Sequence, residues 1–205
     1  MTQSKVLNEV LSWGKAFIIT FFIAIFLTTF IFQPYKVSGS SMDPTFDGVH
    51  LQQNDEKGDH VLAFKSAYIF GNKPRFGDIV IVDRRINRER TVKDDFLESA
   101  IVNTIVGSDK NHNFLIKRVI GEPGDTLAYK NGSVYRNGKK LEEDYIKEKM
   151  AVSFEKVTVP EDHVYVMGDN RNISHDSRAI GPVPIDHIVG KVFLRYYPFN
   201  KISFF

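Results

Sequence analysis

The chain contains no cysteine among its 205 residues, which excludes disulfide scaffolds, thiolate metal sites and cysteine nucleophiles. It also lacks an excess of charge of one sign, since 27 lysine and arginine residues face 25 aspartate and glutamate residues, for a formal net charge of +2. A general nucleic-acid binder usually carries a strong basic excess, so we expect no nucleic-acid partner. Charged residues make up 25% and hydrophobic residues 42%, which excludes wholesale disorder and is typical of a globular protein.

Phenylalanine, by contrast, is abundant and unevenly distributed. Six of the 17 phenylalanines lie within sixteen consecutive residues, and the stretch 16–35 contains no Asp, Glu, Lys or Arg. A hydrocarbon core of ~30 Å needs roughly 20 helical residues, with a lower limit near 17. Trp13 and Tyr35 lie near the ends of the stretch, where interfacial anchors are found. We therefore predict a transmembrane helix over residues 16–35, after a short cytoplasmic N-terminus over residues 1–15.

Two alternatives for this apolar segment are a cleaved signal peptide and a buried helix. Its apolar core exceeds the ~7–15 residues usual for a signal peptide, and Pro34 interrupts its end. A buried helix would show a polar face, which only three threonines supply here. Lys5 and Lys15 precede the segment whereas Asp43 and Asp47 follow it, which favours a cytoplasmic N-terminus and an extracytoplasmic body.

The rest of the chain, residues 36–205, is typical of short strands separated by turns rich in glycine and proline. Strands are predicted at 79–82, 113–120, 164–167 and 189–197. Two hairpin signals, Asn131-Gly132 and Asn137-Gly138, predict a small hairpin-rich subregion near residues 127–160. The predicted fold is therefore mostly β, a barrel-like or sandwich domain of short antiparallel strands.

Two polar insertions, near 54–76 and 84–113, interrupt the pattern of strands. The first is irregular, and the second begins with a basic run and continues into a predicted short helix near Asp95–Val106. A basic run can contact anionic lipid, but Glu89, Asp94 and Asp95 accompany it, which favours a solvated loop. Substrate-recognition surfaces, partner surfaces and tolerated insertions all remain open as interpretations of these stretches.

Three polar clusters carry the candidate chemistry: residues 37–45 (VSGSSMDPT), 117–125 (KRVIGEPGD) and 168–178 (GDNRNISHDSR). Alternate strand residues share a face, so either Lys117 or Arg118 must point toward an apolar side. Desolvation lowers the pKa of a lysine and leaves a neutral amine, whereas arginine stays protonated. A neutral amine is a general base that can activate a hydroxyl nucleophile, and the alternative is an edge-strand lysine whose amine reaches water.

Histidine chemistry is less favoured by the sequence. His175 adjoins Asp176, but adjacent residues cannot easily place a carboxylate behind an imidazole, as a Ser-His-Asp triad requires. The other histidines are scattered without metal-ligand spacing, and residues 169–173 lack the alternating acidic pattern of a calcium loop. We therefore expect neither a metal nor a cofactor.

An apolar anchor followed in order by SSMDPT, GDIVIV, KRVIGEPGD and GDNRNISHDSR resembles the bacterial type I signal peptidases, in particular their Gram-positive branch. The resemblance extends from the anchor through GKVFLRYYPF. It implies a single-pass protein of the bacterial cell membrane, in contact with the lipid bilayer, whose extracytoplasmic domain (36–205) is a serine endopeptidase. The implied substrates are exported pre-proteins with small residues at positions −1 and −3. Aromatic residues near the C-terminus are expected at the membrane interface or in a core strand and tail: Tyr196, Tyr197, Phe199, Phe204 and Phe205.

The resemblance also implies a role for individual residues. Ser41 is the implied nucleophile and Lys117 the implied general base, with Ser174 orienting the amine. The oxyanion would be held by backbone groups of Ser41 and Gly39, because Gly39 stands where some relatives carry a serine hydroxyl. Four supporting residues follow from the same motifs: Asp169, Asp176, Arg178 and Arg118. The substrate would lie extended, by β-strand addition, against a further set: Met42, Asp78, Ile79, Val80, Ile81 and Val82.

Two other functions remain open at the level of sequence. One is a membrane-tethered β-domain that acts as a binding or assembly module with an inactive Ser-Lys dyad. The other is self-cleavage by the same dyad, as in the soluble repressor-type relatives, against which the membrane span argues. Cleavage of a pre-protein by the purified protein separates the enzyme from the binding module.

Overall fold

The computed structural model describes residues 3–48, 58–68, 72–106 and 113–205. Helix α1 runs from Gln3 to Phe26 and continues through a π-helical turn at Leu27–Ile31. The part from Lys5 to Ile31 is long and apolar enough to cross a membrane, and it does not pack inside the protein. The predicted N-terminal apolar helix is therefore present.

The bounds of this helix differ from the prediction. It begins at Gln3 rather than near residue 16, and it ends at Ile31, where strand β1 (Phe32–Lys36) takes over. All five residues of β1 pair with β2 (His60–Phe64). Pro34 is tolerated there because β1 is an edge strand. Hydropathy alone does not reveal the change from helix to strand, because the residues just before and after it, Ile31 and Phe32, are both apolar and no charged residue follows before Lys36.

In the part of the chain that the structure describes, the body of the protein is a sheet of eight antiparallel strands with a smaller sheet of four. The strands after β2 are β3 (Ile79–Asp83), β4 (Phe114–Gly121), β5 (Thr126–Lys130), β6 (Ser133–Arg136), β7 (Lys139–Lys140), β8 (Val157–Thr158), β9 (His163–Met167), β10 (Val183–Pro184), β11 (Ile188–Tyr197) and β12 (Ser203–Phe204). The large sheet has the order β1-β2-β11-β3-β4-β9-β10, and β12 pairs with β11. This confirms the predicted, mostly β fold of short antiparallel strands after one helix.

The large sheet curls so that distant strands meet. Three strands separate β1 from β4 in the sheet order, yet the ring of Tyr35 in β1 packs against that of Phe114 in β4, with centroids 5.6 Å apart. Val37, Met42 and Phe46 belong to the same buried cluster. The core inside this curl therefore brings the chain just after β1 close to β4.

The smaller sheet, of order β7-β6-β5-β8, contains the two predicted hairpins. Asn131 and Gly132 have φ values of 52° and 81°, and Asn137 and Gly138 have values of 52° and 79°. Positive φ at both central residues is the requirement of a type I′ turn, which asparagine followed by glycine meets best.

Part of the first insertion was predicted wrongly. Residues 60–64 form β2, which lies inside the large sheet between β1 and β11, and a 3₁₀ turn follows at Lys65–Tyr68. Only Val61 and Ala63 of β2 are fully buried. Because polar residues lie on both sides of β2, so short an alternation of buried and half-buried positions is not recognisable as a strand in the sequence. Positions 54–57 and 69–71 of this insertion lie outside the described residues.

The second insertion contains two short helices where one was predicted, α2 (Val92–Leu97) and α3 (Ala100–Val106). Its basic run is solvated as predicted at Arg84, Arg88 and Lys93, but not at Arg85 and Arg90. Arg85 and Arg90 reach the Asp83 carboxylate at 2.5 and 2.7 Å, and both also pair with Glu98. Asp83 and Glu98 are 2% and 4% exposed, so the basic run balances buried carboxylates. Residues 107–112 lie outside the described part.

Three short helical segments follow later in the described chain: α4 (Ser177–Ile180) and 3₁₀ turns at Ile185–His187 and Phe199–Lys201.

Candidate active site

Two buried side chains hold the segment that carries the predicted nucleophile. Met42 and Phe46 are at most 1% exposed, and the Phe46 N–H donates to the Met42 carbonyl at 2.9 Å. Gly39 precedes them with a φ of 72°, a conformation that favours glycine. The Ser41 carbonyl accepts a hydrogen bond from the Asn170 N–H at 3.0 Å. These contacts fix Ser41 at the edge of the core, next to the third polar cluster.

Lys117 lies in β4 and contacts the predicted nucleophile. Its Nζ donates to Ser41 Oγ at 2.7 Å, and the residue is only 2% exposed. Burial lowers the pKa of the Lys117 amine to about 8, because the ammonium is poorly solvated there. Asp176 and Asp169 oppose this shift, and Arg178 adds to it. The alternative of an edge-strand lysine with its amine in water is therefore wrong.

The third polar cluster folds around the buried carboxylate of Asp176. This carboxylate accepts a hydrogen bond from the Gly168 N–H at 3.0 Å and two from the Arg178 guanidinium at 2.8 Å each. Burial by itself raises the pKa of a carboxyl, but the hydrogen bonds and charge of Arg178 outweigh it, and the pKa of Asp176 is lowered. Asp176 also caps α4 at its N-terminus. Asp176 therefore stays ionised, and its negative charge lies close enough to the Lys117 amine to raise the pKa of that amine.

Asp169 and Arg118 form a second buried ion pair. Arg118 Nε and Nη2 donate to the two carboxylate oxygens of Asp169 at 2.9 and 2.7 Å. Thr45 Oγ1 donates to the same carboxylate at 2.5 Å, and the guanidinium lies 4.0 Å from the centroid of the Tyr145 ring. A bidentate pair fixes orientation as well as adding energy. It therefore ties the nucleophile segment, β4 and the third cluster together.

Ser174 lies next to the nucleophile segment without bonding to the amine. A Cβ added at Gly168 would lie 2.3 Å from Ser174 Oγ and 2.3 Å from the Ser41 carbonyl oxygen, so only glycine fits there. Ser174 Oγ lies close to the Asp176 carboxylate. It nevertheless forms no well-aligned hydrogen bond with any group in the described part of the chain. The orienting contact expected between Ser174 and Lys117 is therefore not formed.

Further contacts that the sequence did not predict hold the site together. Arg171 is 2% exposed and donates to the Glu143 carboxylate at 3.1 and 2.6 Å. Lys147 pairs with the carboxylate of Asp43. These two contacts attach the segment between β7 and β8 to the site. The first joins residues 28 positions apart in the sequence, and the second joins residues 104 positions apart. No local pattern in the sequence predicts ion pairs between such distant residues. The contact of Thr45 with Asp169 could have been predicted, because both residues lie within the polar clusters.

The substrate strand predicted at residues 78–82 is wrong. β3 pairs with β11 at positions 80–82 and with β4 along its whole length, so no free edge remains there for another strand. The Asp78 carboxylate is also occupied, because it accepts hydrogen bonds from Tyr68 and Lys191. The apolar members of the predicted set are core residues, each at most 2% exposed: Met42, Ile79, Val80, Ile81 and Val82.

Two other strand edges near the site have no strand partner among the described residues. β1 is the end strand of the sheet, and β4 pairs with β9 only from Arg118 onward, which leaves one edge of residues 114–117 free. The contact between Tyr35 and Phe114 brings these two edges close together. The free edge of β4 ends at Lys117, beside Ser41.

Metal-ligating residues are not clustered in the described ranges. Within residues 3–48, 58–68, 72–106 and 113–205, no group of three or more His, Asp or Glu side chains could hold a metal ion. His50 and His112, two of the scattered histidines, lie outside these ranges. The groups that the site offers for chemistry are a hydroxyl, a buried amine and two paired carboxylates.

A serine hydroxyl in contact with a buried lysine amine is the arrangement of a Ser-Lys hydrolase. Residues 10–197 match the family model described as signal peptidase, peptidase S26. Signal peptidase I of Bacillus licheniformis is 34% identical over 98% of this chain and 98% of its own length. Signal peptidase I T of Bacillus subtilis strain 168 is 36% identical over 98% of this chain and 92% of its own. The chain therefore belongs to the signal peptidase family S26, and the resemblance found in the sequence is confirmed. A solved signal peptidase I from Enterococcus faecalis V583 aligns with 26% identity and a TM-score of 0.40, over 58% of this chain and 97% of that one.

Proposed function

We propose that this protein is a membrane-anchored serine endopeptidase that removes N-terminal signal peptides from exported pre-proteins. Ser41 is its nucleophile and Lys117 its general base. The observation that carries the proposal is the 2.7 Å contact between Lys117 Nζ and Ser41 Oγ, made by an amine whose pKa is lowered by burial. Relatives that match over nearly the full length and are named signal peptidase I support the substrate class.

The reaction begins with neutral Lys117. Its Nζ accepts the proton of the Ser41 hydroxyl while Oγ attacks the carbonyl carbon of the scissile peptide bond. The ammonium then gives this proton to the leaving amine, which is the N-terminus of the mature protein, and the C–N bond breaks. The signal peptide remains as an ester on Ser41. Lys117, neutral again, takes a proton from water as its oxygen attacks the ester, which frees the signal peptide and restores the hydroxyl.

The oxyanion formed in each attack needs hydrogen-bond donors, each worth about 3 kcal/mol in comparable acyl-transfer sites. The Ser41 backbone N–H is the first donor. Gly39 has no side chain to offer, so the second donor is a backbone N–H or a neighbouring hydroxyl. The backbone at Gly39 packs closely against Gly48, since a Cβ added at Gly48 would lie 1.8 Å from the Gly39 carbonyl oxygen. This packing supports a fixed conformation of the backbone just before Ser41.

The buried ion pairs act by positioning the reacting groups. Asp176, held by Arg178, stabilises the ammonium that forms on Lys117, since its charge raises the pKa of that amine. Asp169, held by Arg118, fastens the nucleophile segment to β4. Ser174 Oγ is buried without a partner among the described residues, so it is available to accept a hydrogen bond from the ammonium once that has formed.

The substrate binds as an extended strand between the free edges of β1 and β4, which replaces the edge of β3 expected from the sequence. In an extended chain the side chains at −1 and −3 share one face. We expect this face to lie over the packed rings of Tyr35 and Phe114, which bring the two free edges together. A surface so closely packed leaves room only for small side chains.

The membrane anchor brings enzyme and substrate into the same thin layer. Lys5 and Lys15 favour a cytoplasmic N-terminus, which places the catalytic domain outside the bacterial cell membrane. Ser41 follows Phe32 by only nine residues and therefore acts close to the bilayer, where a signal peptide emerges. Confinement of both proteins to one bilayer raises their effective concentration.

Cleavage of a pre-protein by the purified, detergent-solubilised protein tests this function. We expect a single cut after a small residue, located by N-terminal sequencing of the larger product. A pre-protein that binds but stays intact would favour the membrane-tethered binding module. Cleavage restricted to this chain itself would favour the self-cleaving alternative.

Activity is expected to rise with pH as Lys117 loses its proton. Its pKa is about 8, and only the neutral amine accepts the proton of Ser41. Below that pH the neutral fraction, and with it kcat/KM, falls roughly tenfold per unit, and above it the rate levels off. Initial rates from about pH 5 to about pH 10, on a substrate without titratable groups near the cut, measure this profile. A flat profile would contradict a neutral-amine base.

A further inference from the structure

Helices α2 and α3, with Thr91 and the two residues that join them, form a unit (residues 91–106) beside the end of the membrane helix. Gln33 Nε2 of β1 donates to the carbonyl of Glu98, between the two helices, at 2.7 Å. Phe96 of α2 lines one apolar depression together with Phe22, Phe26 and Phe30 of the membrane helix. The α2–α3 unit therefore continues the apolar surface of that helix.

The position of this contact along the membrane helix indicates its depth. The uncharged apolar part of the helix, residues 16–31, spans only ~24 Å, less than a hydrocarbon core of ~30 Å, so all of it is needed to cross. Phe26 precedes the end of the helix at Ile31 by five residues, or roughly 7 Å. A side chain that packs beside Phe22 and Phe26 therefore lies at the level of lipid.

The apolar side chains of the α2–α3 unit point outward. Val92, Phe96 and Ile105 are 66%, 45% and 68% exposed. Val92 and Phe96 are four residues apart and so share one face of α2. A single exposed apolar residue needs no explanation, but a group continuous with a membrane helix indicates a surface that lipid covers.

A buried ionic network attaches the unit firmly to the large sheet. Lys65 and Arg90 both pair with Asp95 of α2 at 2.9 Å. Arg90 also reaches Asp83 at the end of β3, which pairs with the strand that carries Lys117. The charges cancel within the network, so it offers no basic excess to lipid headgroups. Its six members are Lys65, Arg85, Arg90, Asp83, Asp95 and Glu98.

The unit is separate from the aromatic residues of the C-terminal strands. Gln33 of β1 contacts the unit, whereas the neighbouring Phe32 packs against the rings of Phe64 and Phe193, with centroids 5.5 and 5.6 Å away. Successive strand residues point to opposite faces. The α2–α3 unit and this aromatic cluster therefore lie on opposite faces of β1.

We propose that the α2–α3 unit is a second membrane contact, in which Val92, Phe96 and Ile105 enter the outer hydrocarbon layer beside the membrane helix. The neutral lipid interior covers them. Two contacts with the bilayer, joined through the ionic network to the large sheet, fix the tilt of the domain and the height of Ser41 above the membrane. The proposal requires the membrane anchor but no peptidase activity, so it and the proposed function can fail separately.

Fluorescence quenching in vesicles tests this contact, because a chain without cysteine accepts a single labelled cysteine. The full chain carrying Phe96→Cys is labelled and reconstituted in phosphatidylcholine vesicles at low protein density. Phe22→Cys is the reference inside the membrane, and Lys139→Cys, at an exposed lysine of β7, is the reference in water. Trp13, the single tryptophan, reports insertion of the helix in every sample. Quenching by nitroxide-labelled lipid should be roughly twofold or more stronger at Phe96 than at Lys139, with protection from aqueous iodide as at Phe22.

The outcomes separate lipid from other covers of this surface. Iodide quenching at Phe96 equal to that at Lys139 would overturn the proposal. Protection that grows with protein density, or that comes without quenching by lipid nitroxide, would mean that a second copy covers the surface and would overturn it as well. Ile105→Cys provides the same readout on α3 if the change at Phe96 disturbs folding. Added anionic lipid should leave the quenching at both positions unchanged, because the ionic network is neutral.

Discussion

Replacement of Ser41 by alanine is expected to abolish cleavage of a pre-protein, with a loss in kcat of roughly ten-thousand-fold or more. In the proposed mechanism the hydroxyl oxygen forms the ester intermediate, and without it only direct attack by water remains. The side chain of Ser41 bonds to Lys117, so its loss removes one hydrogen bond and should leave the fold intact. Initial rates on a detergent-solubilised pre-protein, with circular dichroism and a melting temperature as folding controls, measure both effects.

Lys117→Met is expected to cause a loss of the same order, because it removes the base but keeps a long side chain in the buried position. An apolar side chain suits a residue that is 2% exposed, so stability should not fall. Activity should not recover at alkaline pH, since the variant has no amine to deprotonate. Lys117→Ala tests the same base but also leaves a cavity.

The matched control for the serine is Ser38→Ala, the same chemical change at an exposed position three residues earlier. It is expected to keep full activity. Cleavage by Ser41→Ala or Lys117→Met within about tenfold of the unmodified enzyme would exclude the dyad, because loss of a nucleophile or its base costs far more.

Gly168→Ala is expected to reduce kcat roughly hundredfold or more, although Gly168 takes no part in the chemistry. Its new Cβ would lie 2.3 Å from both Ser174 Oγ and the Ser41 carbonyl oxygen, so one of the two segments must move. The Ser41 carbonyl is also bound by the Asn170 N–H, so the nucleophile moves with its segment. A misplacement of ~1 Å can cost a hundredfold in rate.

Gly14→Ala is the matched control for this substitution. It adds the same methyl group in α1, where nothing beyond the neighbouring residues and the helix's own backbone lies within 4 Å of the new atom. Activity should therefore stay unchanged. A folded Gly168→Ala enzyme with the kcat of the unmodified enzyme would show that the close packing of Ser41 and Ser174 around Gly168 does not constrain the nucleophile.

Much of the fold was predictable because local patterns carry it. The apolar run predicted the N-terminal helix, and continuous or alternating apolar residues predicted β3, β4, β9 and β11. Asparagine followed by glycine predicted both hairpin turns, because few other pairs tolerate positive φ at two successive residues. The strands that were not predicted are β1, which was assigned to the membrane helix, β2, whose five residues stand among polar neighbours, and the two-residue strands β8, β10 and β12.

The substrate strand could not be predicted in the same way. The motif GDIVIV marks a buried strand, but it does not reveal whether the edges of that strand are occupied. β11, about 110 residues later, fills the outer edge of β3, and this pairing leaves β1 and the first half of β4 with free edges. Sheet order depends on long-range pairing, which a local window of sequence does not contain.

The sequence by itself determined the parts of which this protein consists. They are an apolar anchor, a cysteine-free β body, and Ser41 and Lys117 in motifs typical of one family. The tertiary structure alone decided how they act. It placed Lys117 Nζ 2.7 Å from Ser41 Oγ, across 76 residues of chain, and buried the amine enough to lower its pKa to about 8. It also turned a basic run into a neutral network beside the membrane helix. Distance, burial and charge balance arise only when remote segments pack together, and these quantities determine the reactivity of the site.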